Sequence, residues 1–450
     1  MKKTLLVFVG ILLISAAVFA GGGQAVEEKE VVTFYTWAGS SEKTLHEAII
    51  AEFEANNPGV KIERNFMLYN DYSPKINTMI AANAPPDIFH VQEFLVNDYG
   101  EKGVGKDVRP VFASRNMNVD TMFLEKYLFQ TQGKTWAVGV NPATIILYYN
   151  KDLFREAGVA FPPESATNPW TWAQFVDAAK KLTKDSTGKT PNDAGFNPAA
   201  ITQYGAILPT GQLQLYLSFL YSAGTSVANQ DGTGLAMNGA TGTQVIQNIA
   251  NLALVDKVAP TAAMRTASAF ANVATMLMNN QAAMWVDGTY QYSNFANENY
   301  DVGVAQIPTM GSTGGNVTWN AGFMLGKNAS SAAEDFYVYF TNFNNWVTVG
   351  KKHNVSIDGY LPTTASTLND PALNAAWIAL NHPEMAKLCG DIIQNASALG
   401  ENVTLKNWAE IFDQIIIPEF DKVLLGNETA ADAMRNLPPQ LEGKFQGVWR

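Results

Sequence analysis

The chain has 450 residues, a formal net charge of -11, 47% hydrophobic residues and 11% aromatic residues. This length and hydrophobic content are typical of a globular chain with about two domains. The acidic balance argues against a nucleic-acid or anionic-membrane partner. The single cysteine, Cys389, excludes an intramolecular disulfide. The four histidines lack the spacing of metal ligands, so we expect neither a metal site nor a cofactor.

The N-terminal segment is typical of an export signal. Lys2 and Lys3 precede an apolar run over 5–14 and small residues that end at Ala20. This run is shorter than the roughly 20 apolar residues of a membrane-spanning helix, and no later segment is long enough either. We therefore expect a periplasmic protein, cleaved after Ala20 and without a lipid anchor, since the only cysteine lies far down the chain. Residues 21–30 are glycine-rich and polar, which predicts a flexible linker.

Strand and helix patterns alternate in the first part of the chain. Apolar β-rich runs predict strands at 31–37, 60–66 and 87–91, and helices are predicted to begin near Ser40 and Ser41 and at Ser73-Pro74. Such alternation favours an α/β fold with parallel strands and right-handed crossovers. Ligands of these sheets bind beyond the carboxyl ends of the strands, which places 37–41, 70–72 and 92–93 on one rim.

A second α/β unit begins at the predicted strand 144–149, which the turn 150–152 follows. Thr171 and Gln174 form a capping box for a helix whose apolar residues recur at helical spacing. Trp172 lies on that apolar stripe and is predicted to belong to the core. Residues 184–197 are polar and rich in Gly, Pro, Asn and Thr, which indicates an excursion outside the core.

Eight segments, in this order and spacing, resemble one known family: the extracellular solute-binding proteins (family 1) of carbohydrate ABC importers, the group that includes maltose-binding protein. The segments are FYTWAG (34–39), FEANNPGVKIE (53–63), DYSPKINTMIAANAPPDIF (71–89), ILYYNKDLFREAGV (146–159), WTWAQFVDAAKKLT (170–183), NNQAAMWVDGTYQYSNF (279–295), YDVGVAQIPT (300–309) and GYLPT (359–363).

The resemblance implies a type II fold with two lobes, each a mainly parallel sheet flanked by helices, with hinge strands between them. It places 31–142 and 317–358 in one lobe and 145–315 and 359–450 in the other. The expected function is to bind a sugar or short oligosaccharide in the cleft and to deliver it to the permease subunits of an ABC importer in the inner membrane. The resemblance implies a monomeric binding protein and not an enzyme.

Several residues are candidates for ligand binding, because sugars need planar hydrogen-bonding groups and flat aromatic faces. The segment 285–292 has this composition, and the resemblance makes Tyr290 the first candidate and Tyr292 the second, with Asp287 beside them. Trp319 and Asn320 lie at the implied lobe crossing. The remaining candidates lie on the predicted rim or at the return of the chain: Trp37, Ser40, Ser41, Tyr72, Glu93 and Tyr360.

Some of these candidates also have simpler structural explanations. Tyr290 and Tyr292 are also compatible with packing under a helix, and Trp319 with a place in the core. Asp87 precedes a strand and is predicted to be structural.

Two other functions use the same kind of cleft. A secreted glycoside hydrolase would need two carboxylates about 5 to 10 Å apart, such as Asp287 and Glu93. A binding protein that serves only a chemotaxis receptor would have the same ligand chemistry. A phosphate-binding loop at 100–106 is excluded, because Asp107 replaces the required hydroxyl residue and no strand and helix frame the segment.

Overall fold

The computed structural model describes residues 29–37, 40–140, 142–265, 272–296, 298, 300–311, 315–357 and 359–449. The predicted export signal and its cleavage site, and the linker up to residue 28, lie outside these residues. Within the described ranges, none of the helices combines the length and the apolar character needed to cross a membrane.

The strands and helices have the following bounds. The strands are β1 (Glu30–Trp37), β2 (Val60–Met67), β3 (Ile88–Val91), β4 (Leu128–Thr131), β5 (Lys134–Gly139), β6 (Ala143–Asn150), β7 (Lys184–Asp185), β8 (Ile201–Gln203), β9 (Met284–Gly288), β10 (Val302–Gln306), β11 (Asn316–Trp319), β12 (Gly322–Leu325) and β13 (Ser397–Leu399). The α-helices are α1 (Ser40–Asn56), α2 (Tyr69–Ala81), α3 (Glu93–Glu101), α4 (Arg109–Ala113), α5 (Val119–Met122), α6 (Lys151–Ala157), α7 (Trp172–Leu182), α8 (Leu213–Ser222), α9 (Ala240–Leu254), α10 (Ala262–Arg265), α11 (Val273–Met278), α12 (Tyr292–Ala296), α13 (Ser331–Thr341), α14 (Phe343–His353), α15 (Ala365–Asn369), α16 (Pro371–Ala379), α17 (Pro383–Asp391), α18 (Glu401–Thr404), α19 (Trp408–Ile411), α20 (Ile417–Leu424) and α21 (Ala430–Leu441). Short 3-10 helices lie at Glu125–Tyr127, Pro198–Ala200 and Thr289–Gln291, and π-helical turns at Ile392–Ala396 and Phe412–Ile416.

The first sheet has the strand order β2-β1-β3-β12-β5-β4. Side chains of a strand alternate between its two faces, and β1 follows this rule. Phe34 packs on one face, against Phe336 and Phe340 of α13, whereas Tyr35 contacts the cluster on the other face, which includes Tyr72 of α2. The sheet is therefore covered by helices on both faces.

The second sheet has the order β10-β6-β11-β13, and β9 also pairs with β6. All of β6 is buried. Ile145 and Leu147 belong to the core that contains α7, α8 and α9, while Ile146 and Tyr148 belong to the core on the opposite face. This alternation explains why β6 reads as a continuous apolar run in the sequence.

The expectation that each lobe contains a mainly parallel sheet is wrong, because both sheets contain parallel and antiparallel pairs. Strands β1, β2 and β3 are parallel, but β12 is antiparallel to β3 and β5. In the second sheet β6 is antiparallel to β9, β10 and β11, and only β11 and β13 are parallel. The reason is the passage of the chain between lobes: a strand that enters a sheet at the cleft runs opposite to strands that end there.

The chain passes between the two sheets at two short crossings, and a longer segment between β12 of the first sheet and β13 of the second makes a third passage. One short crossing joins Gly139 of β5 to Ala143 of β6, and the other joins Trp319 of β11 to Gly322 of β12. Helices α15 and α16 contact α5 and α14 of the first lobe, while α17 contacts β10 of the second. The division into 31–142 with 317–358 and 145–315 with 359–450 remains a prediction.

Local signals in the sequence have mixed outcomes. The capping box of Thr171 and Gln174 is confirmed at the start of α7. Asp87 has the predicted structural role, because it accepts hydrogen bonds from the backbone and side chain of Thr33 at 2.9 and 2.8 Å. The start of α2 is not at Ser73-Pro74 but at Tyr69, and Pro74 lies inside the helix. The side chain of Tyr72 anchors this earlier turn, since its hydroxyl donates to the His90 carbonyl at 2.7 Å.

Candidate functional site

A cavity of about 700 Å³ lies between the two sheets. Both sheets contribute to its walls, because Trp37 ends β1 of the first sheet and Trp319 ends β11 of the second. The first turns of α3 and α8 form two further sides. The cavity is lined by Trp37, Glu42, Gln92, Glu93, Phe94, Pro142, Ala143, Gly211, Gln212, Leu213, Gln214, Tyr290, Ser293, Trp319, Ala321, Gly359, Tyr360 and Asp413.

Two tryptophans face this cavity from opposite sides. Trp37 is held by stacking on His90, with ring centroids 3.6 Å apart and an interplanar angle of 11°. The ring of Tyr72 packs on it edge-on at 5.0 Å. Trp319 is only 8% exposed, so a small part of its ring is available to a ligand. Aromatic rings held in this way offer rigid apolar faces.

Tyr290 lies at the end of β9, in the turn that follows the strand. Its ring covers Gly288, where any Cβ atom would overlap the ring, so the turn requires glycine at this position. The Tyr290 hydroxyl lies 3.1 Å from Asp287 Oδ1 and 3.3 Å from Gln212 Oε1. Gly359, with φ of +83°, packs against the backbone of the same turn. These contacts fix the position of the Tyr290 ring at the edge of the cavity.

Glu93 is the first residue of α3 and is 6% exposed. Asn402 of α18 donates from Nδ2 to Glu93 Oε1 at 2.6 Å. Burial raises the pKa of Glu93 to about 7, although hydrogen bonds from its own backbone, Asn402 and Gln214 act in the opposite direction. Near neutral pH this carboxyl group is therefore present in both protonation states.

A second acidic group, Glu42, contributes to the opposite wall. The hydroxyl of Tyr360 is hydrogen-bonded to it, and burial raises the pKa of this tyrosine well above its usual value. His46 Nε2 lies 3.9 Å from Glu42 Oε1. Burial lowers the pKa of His46 to about 3, so this histidine is neutral.

The structure brings five of the candidates from the sequence together around this cavity: Trp37, Glu93, Tyr290, Trp319 and Tyr360. They come from segments that are far apart in the chain. Ser40 and Ser41 begin α1 near the same rim, but their side chains lie outside what the structure describes.

Four other candidates do not line the cavity. Tyr72 is 2% exposed and lies behind Trp37. Asp287 lies behind Tyr290 and lines a neighbouring cavity. Tyr292 is buried with its ring 5.6 Å from that of His382. Asn320 is buried at the crossing, where its amide packs over Gly139 and leaves no room for a Cβ atom there.

Reasoning from the sequence missed several polar residues of the cavity. Gln212 and Gln214 lie at the start of α8, an otherwise largely apolar helix. Two amide side chains at the start of such a helix could have indicated a polar binding surface. Asp413 lies within the apolar run 411–417, which is a similar signal. Glu42 carries no distinctive pattern, whereas Gln92 lies in the segment 92–93 that the sequence places on the predicted rim. In the part of the chain that the structure describes, no group of three His, Cys, Asp or Glu side chains is placed to hold a metal ion.

Two curated relatives illustrate what the chain resembles in sequence. It is 27% identical over 208 residues to the melibiose/raffinose/stachyose-binding protein MelE of Bacillus subtilis, and the match spans 45% of this chain and 46% of that protein. It is 21% identical over 433 residues to the sn-glycerol-3-phosphate-binding periplasmic protein UgpB of Agrobacterium fabrum, with 93% of each chain covered. With several curated relatives, MelE among them, the chain shares less than half of their length, 43% to 46%.

The fold matches solved structures over nearly the whole chain. An ABC substrate-binding protein from Listeria monocytogenes, solved in complex with cycloalternan, superposes with a TM-score of 0.77 at 23% identity and covers 92% of this chain and 99% of its own. The maltose/maltodextrin-binding domain from Bdellovibrio bacteriovorus, bound to maltotriose, superposes with a TM-score of 0.72 at 17% identity. The match covers 92% of this chain and 99% of that domain. The fold is therefore the two-lobed type II fold of these binding proteins.

A sequence model for one protein family, the bacterial extracellular solute-binding proteins, matches residues 38–342. The matched range includes both crossings and most of the cavity lining. Since this match covers more than half of the chain, the protein belongs to the bacterial extracellular solute-binding protein family.

Proposed function

We propose that the chain binds a sugar or short oligosaccharide in the cavity between its lobes and delivers it to the permease of an ABC importer. The observation that carries this proposal is the lining of the cavity, where Trp37 and Trp319 from the two sheets face a set of amide and carboxyl groups. A sugar ring has apolar C–H faces that stack on aromatic rings, and hydroxyl groups that bond to planar polar side chains. Both kinds of partner are present.

The charge of the cavity supports a neutral ligand. Among the described residues that line it, none is Lys or Arg, and three are acidic: Glu42, Glu93 and Asp413. A phosphate ester would need cationic groups or clustered backbone amides to offset its charge. A sugar is therefore a better partner for this cavity than glycerol phosphate, the ligand named for the relative UgpB.

The proposal includes no catalysis. The two carboxyl groups considered for a glycosidase, Glu93 and Asp287, line different cavities. Glycosidases place both carboxyl groups on either side of one bond. The hydrogen bonds of Glu93 with Asn402 and of Asp287 with Tyr290 also support roles in shaping the walls.

The location and partners follow from the same proposal. Export would occur through the segment 1–20, with cleavage after Ala20, and the released monomer would carry its ligand to the permease subunits in the inner membrane. The acidic composition, with a sequence pI near 4.9, supports an exported protein that stays soluble and has no nucleic-acid partner. No metal and no cofactor is part of the proposed mechanism.

A thermal-shift screen tests the ligand class directly. Ligands that bind only the native state raise the melting temperature, by an amount that grows with RT ln(1 + [L]/Kd). We expect a shift with at least one mono- or oligosaccharide at millimolar concentration and none with sn-glycerol 3-phosphate. A shift with the phosphate ester alone, or with no carbohydrate, would contradict the proposal.

A further inference from the structure

A second cavity of about 560 Å³ adjoins the first on the side of the second sheet. The two cavities share Gly211 and Gln212 in their walls. Tyr290 lines the first cavity, and its hydroxyl is bonded to Asp287, which lines the second. Tyr290 and Gln212, with their polar ends 3.3 Å apart, thus form a partition between the two cavities.

Asp287 holds this partition from behind. The carboxylate is 3% exposed and accepts the Gly288 N–H at 2.6 Å and the Tyr290 hydroxyl at 3.1 Å. The side chains of Gln291 and Trp285 also donate to it. Because the protein itself supplies these donors, Asp287 acts as a positioning residue for Tyr290 on one side of the partition and for Trp285 on the other.

Five of the residues that line the second cavity have neutral polar side chains. Four amide side chains, those of Gln212, Asn272, Gln291 and Asn294, and the hydroxyl residue Thr210 face it. Among its described lining residues there is no Lys or Arg, and Asp287 is the only acid. Some of these amide atoms are bonded within the protein: Asn294 Nδ2 donates to Gln291 Oε1, Asn272 Oδ1 accepts from the Thr275 N–H, and Gln212 Oε1 accepts from the Tyr290 hydroxyl. The opposite ends of three amides, Asn294 Oδ1, Asn272 Nδ2 and Gln212 Nε2, supply an acceptor and donors that match the hydroxyl groups of a sugar. The described residues that line this second cavity include no cationic side chain that could neutralise an anion.

We propose that this second cavity is a further compartment of the ligand site, which takes an additional sugar unit of a neutral oligosaccharide that passes the Tyr290–Gln212 partition. The compartment has this role only if the first cavity binds sugar, as proposed above. Both volumes lie within the range of about 300 to 1,000 Å³ that is typical of small-molecule sites, so each compartment has room for part of the ligand. The length of the sugar chain then decides whether one compartment or both are filled.

Affinity measured against chain length tests this compartment. Two series serve as probes, melibiose, raffinose and stachyose, and maltose, maltotriose and maltotetraose, titrated calorimetrically into the full mature chain. In the series that binds, we expect the longer sugars to bind at least about tenfold more tightly than the disaccharide. Asn294→Ala and the space-filling Asn294→Trp should bring that ratio close to one, and the affinity for the disaccharide should stay within about twofold.

Ser293→Ala is the matched control, because Ser293 neighbours Asn294 on the same turn but lines the first cavity. It should leave the ratio between long and short sugars as in the wild type. If Asn294→Trp does not fold, Asn294→Ala alone decides. A ratio that both Asn294 variants leave unchanged would show that the second cavity is a surface crevice, while the first cavity still binds sugar. Absence of binding to every sugar in both series would overturn this compartment, whereas only the absence of a thermal shift with any carbohydrate would overturn the proposed function.

Discussion

Tyr290 stands at the point where the strand β9, the first turn of α8 and the cavity meet. It is 38% exposed, whereas its hydroxyl is held by Asp287 and Gln212. A ring that is open on one side and fixed on the other is ready to stack on a ligand with little loss of conformational entropy. This placement favours a ligand platform over the alternative that the ring only packs under a helix.

Replacement of this platform should weaken sugar binding without unfolding the chain. We expect Tyr290→Ala to reduce affinity about 10- to 150-fold, which corresponds to roughly 1.5 to 3 kcal/mol for one lost aromatic contact. Tyr221→Ala is the control, since Tyr221 has a similar exposure of 40% but does not line the cavity. Calorimetric titration measures both. Equal affinities for the two variants would assign Tyr290 to packing alone.

Glu93, a residue of the cavity wall, makes the stability of the protein depend on pH. The pKa of its carboxyl group rises from the usual 4.5 to about 7 on folding, chiefly because the group is buried. Between these values the native state holds a proton that the unfolded state has released, so the free energy of unfolding decreases as pH rises through this window. The contribution is fully present below about pH 4.5 and is lost above about pH 7.

Glu93→Gln separates this effect from others, because glutamine keeps an acceptor for Asn402 but cannot ionise. Between pH 5 and pH 8, we expect the free energy of unfolding of the wild type to fall by roughly 2 to 3 kcal/mol more than that of the variant. A smaller slope should persist in the variant, since burial also raises the pKa of Asp287 to about 6. Denaturant titrations at each pH measure the slopes. Identical slopes would mean that Glu93 does not titrate in this window.

At the scale of elements, the turn after β9 depends on a close approach of side chain and backbone. The Tyr290 ring occupies the space that a Cβ atom at residue 288 would need, and Gly359 packs on the same turn with a positive φ. Strand β9 brings Asp287 and Gly288 to the cleft because it runs antiparallel to β6 and ends where β6 begins. The position of the platform is thus set by the turn as a unit.

Gly288→Ala should therefore act on binding through Tyr290. We expect the added methyl group to displace the ring, to lower sugar affinity and to reduce stability by roughly 1 to 3 kcal/mol, the usual cost of forced overpacking. Gly59→Ala is the control, because a Cβ atom there meets nothing within 4 Å. Thermal denaturation and titration of both variants measure the effects. Wild-type affinity in Gly288→Ala would mean that the ring position does not matter for binding.

The sequence predicts individual strands and helices better than the contacts between them. Strands β1 and β6 follow from apolar, β-rich runs, and helix α7 follows from its capping box and the helical spacing of its apolar residues. Tyr72 is predicted on the ligand rim because it lies near a strand end, and Asn320 is a candidate because the family resemblance implies ligand contacts at the lobe crossing. Their burial depends on partners that are distant in sequence, His90 for Tyr72 and Gly139 for Asn320, and no local pattern reveals such pairs.

At the scale of the whole molecule, the crossings determine how a ligand can be held. The segments between Gly139 and Ala143 and between Trp319 and Gly322 are short, and the cavity lies beside both. Trp37 and Trp319 belong to different sheets and line one cavity, so the distance between them depends on how closely the lobes approach each other. The hydrogen bond of Glu93 with Asn402 joins α3 to α18, which the predicted division assigns to different lobes.

Binding should therefore shift the population of the molecule toward a closed form, by no more than the difference in ligand affinity between the two forms allows. Solution scattering of the mature protein should give a smaller radius of gyration with a saturating sugar than without it. Tryptophan fluorescence should change at the same ligand concentrations, because Trp37 and Trp319 lose contact with water. Trp319→Ala, which removes the platform on one lobe only, should require more sugar for the same change in scattering. If a sugar that binds by calorimetry leaves the scattering curve unaltered, the lobes are already closed without ligand, and recognition by a permease cannot depend on ligand-induced closure.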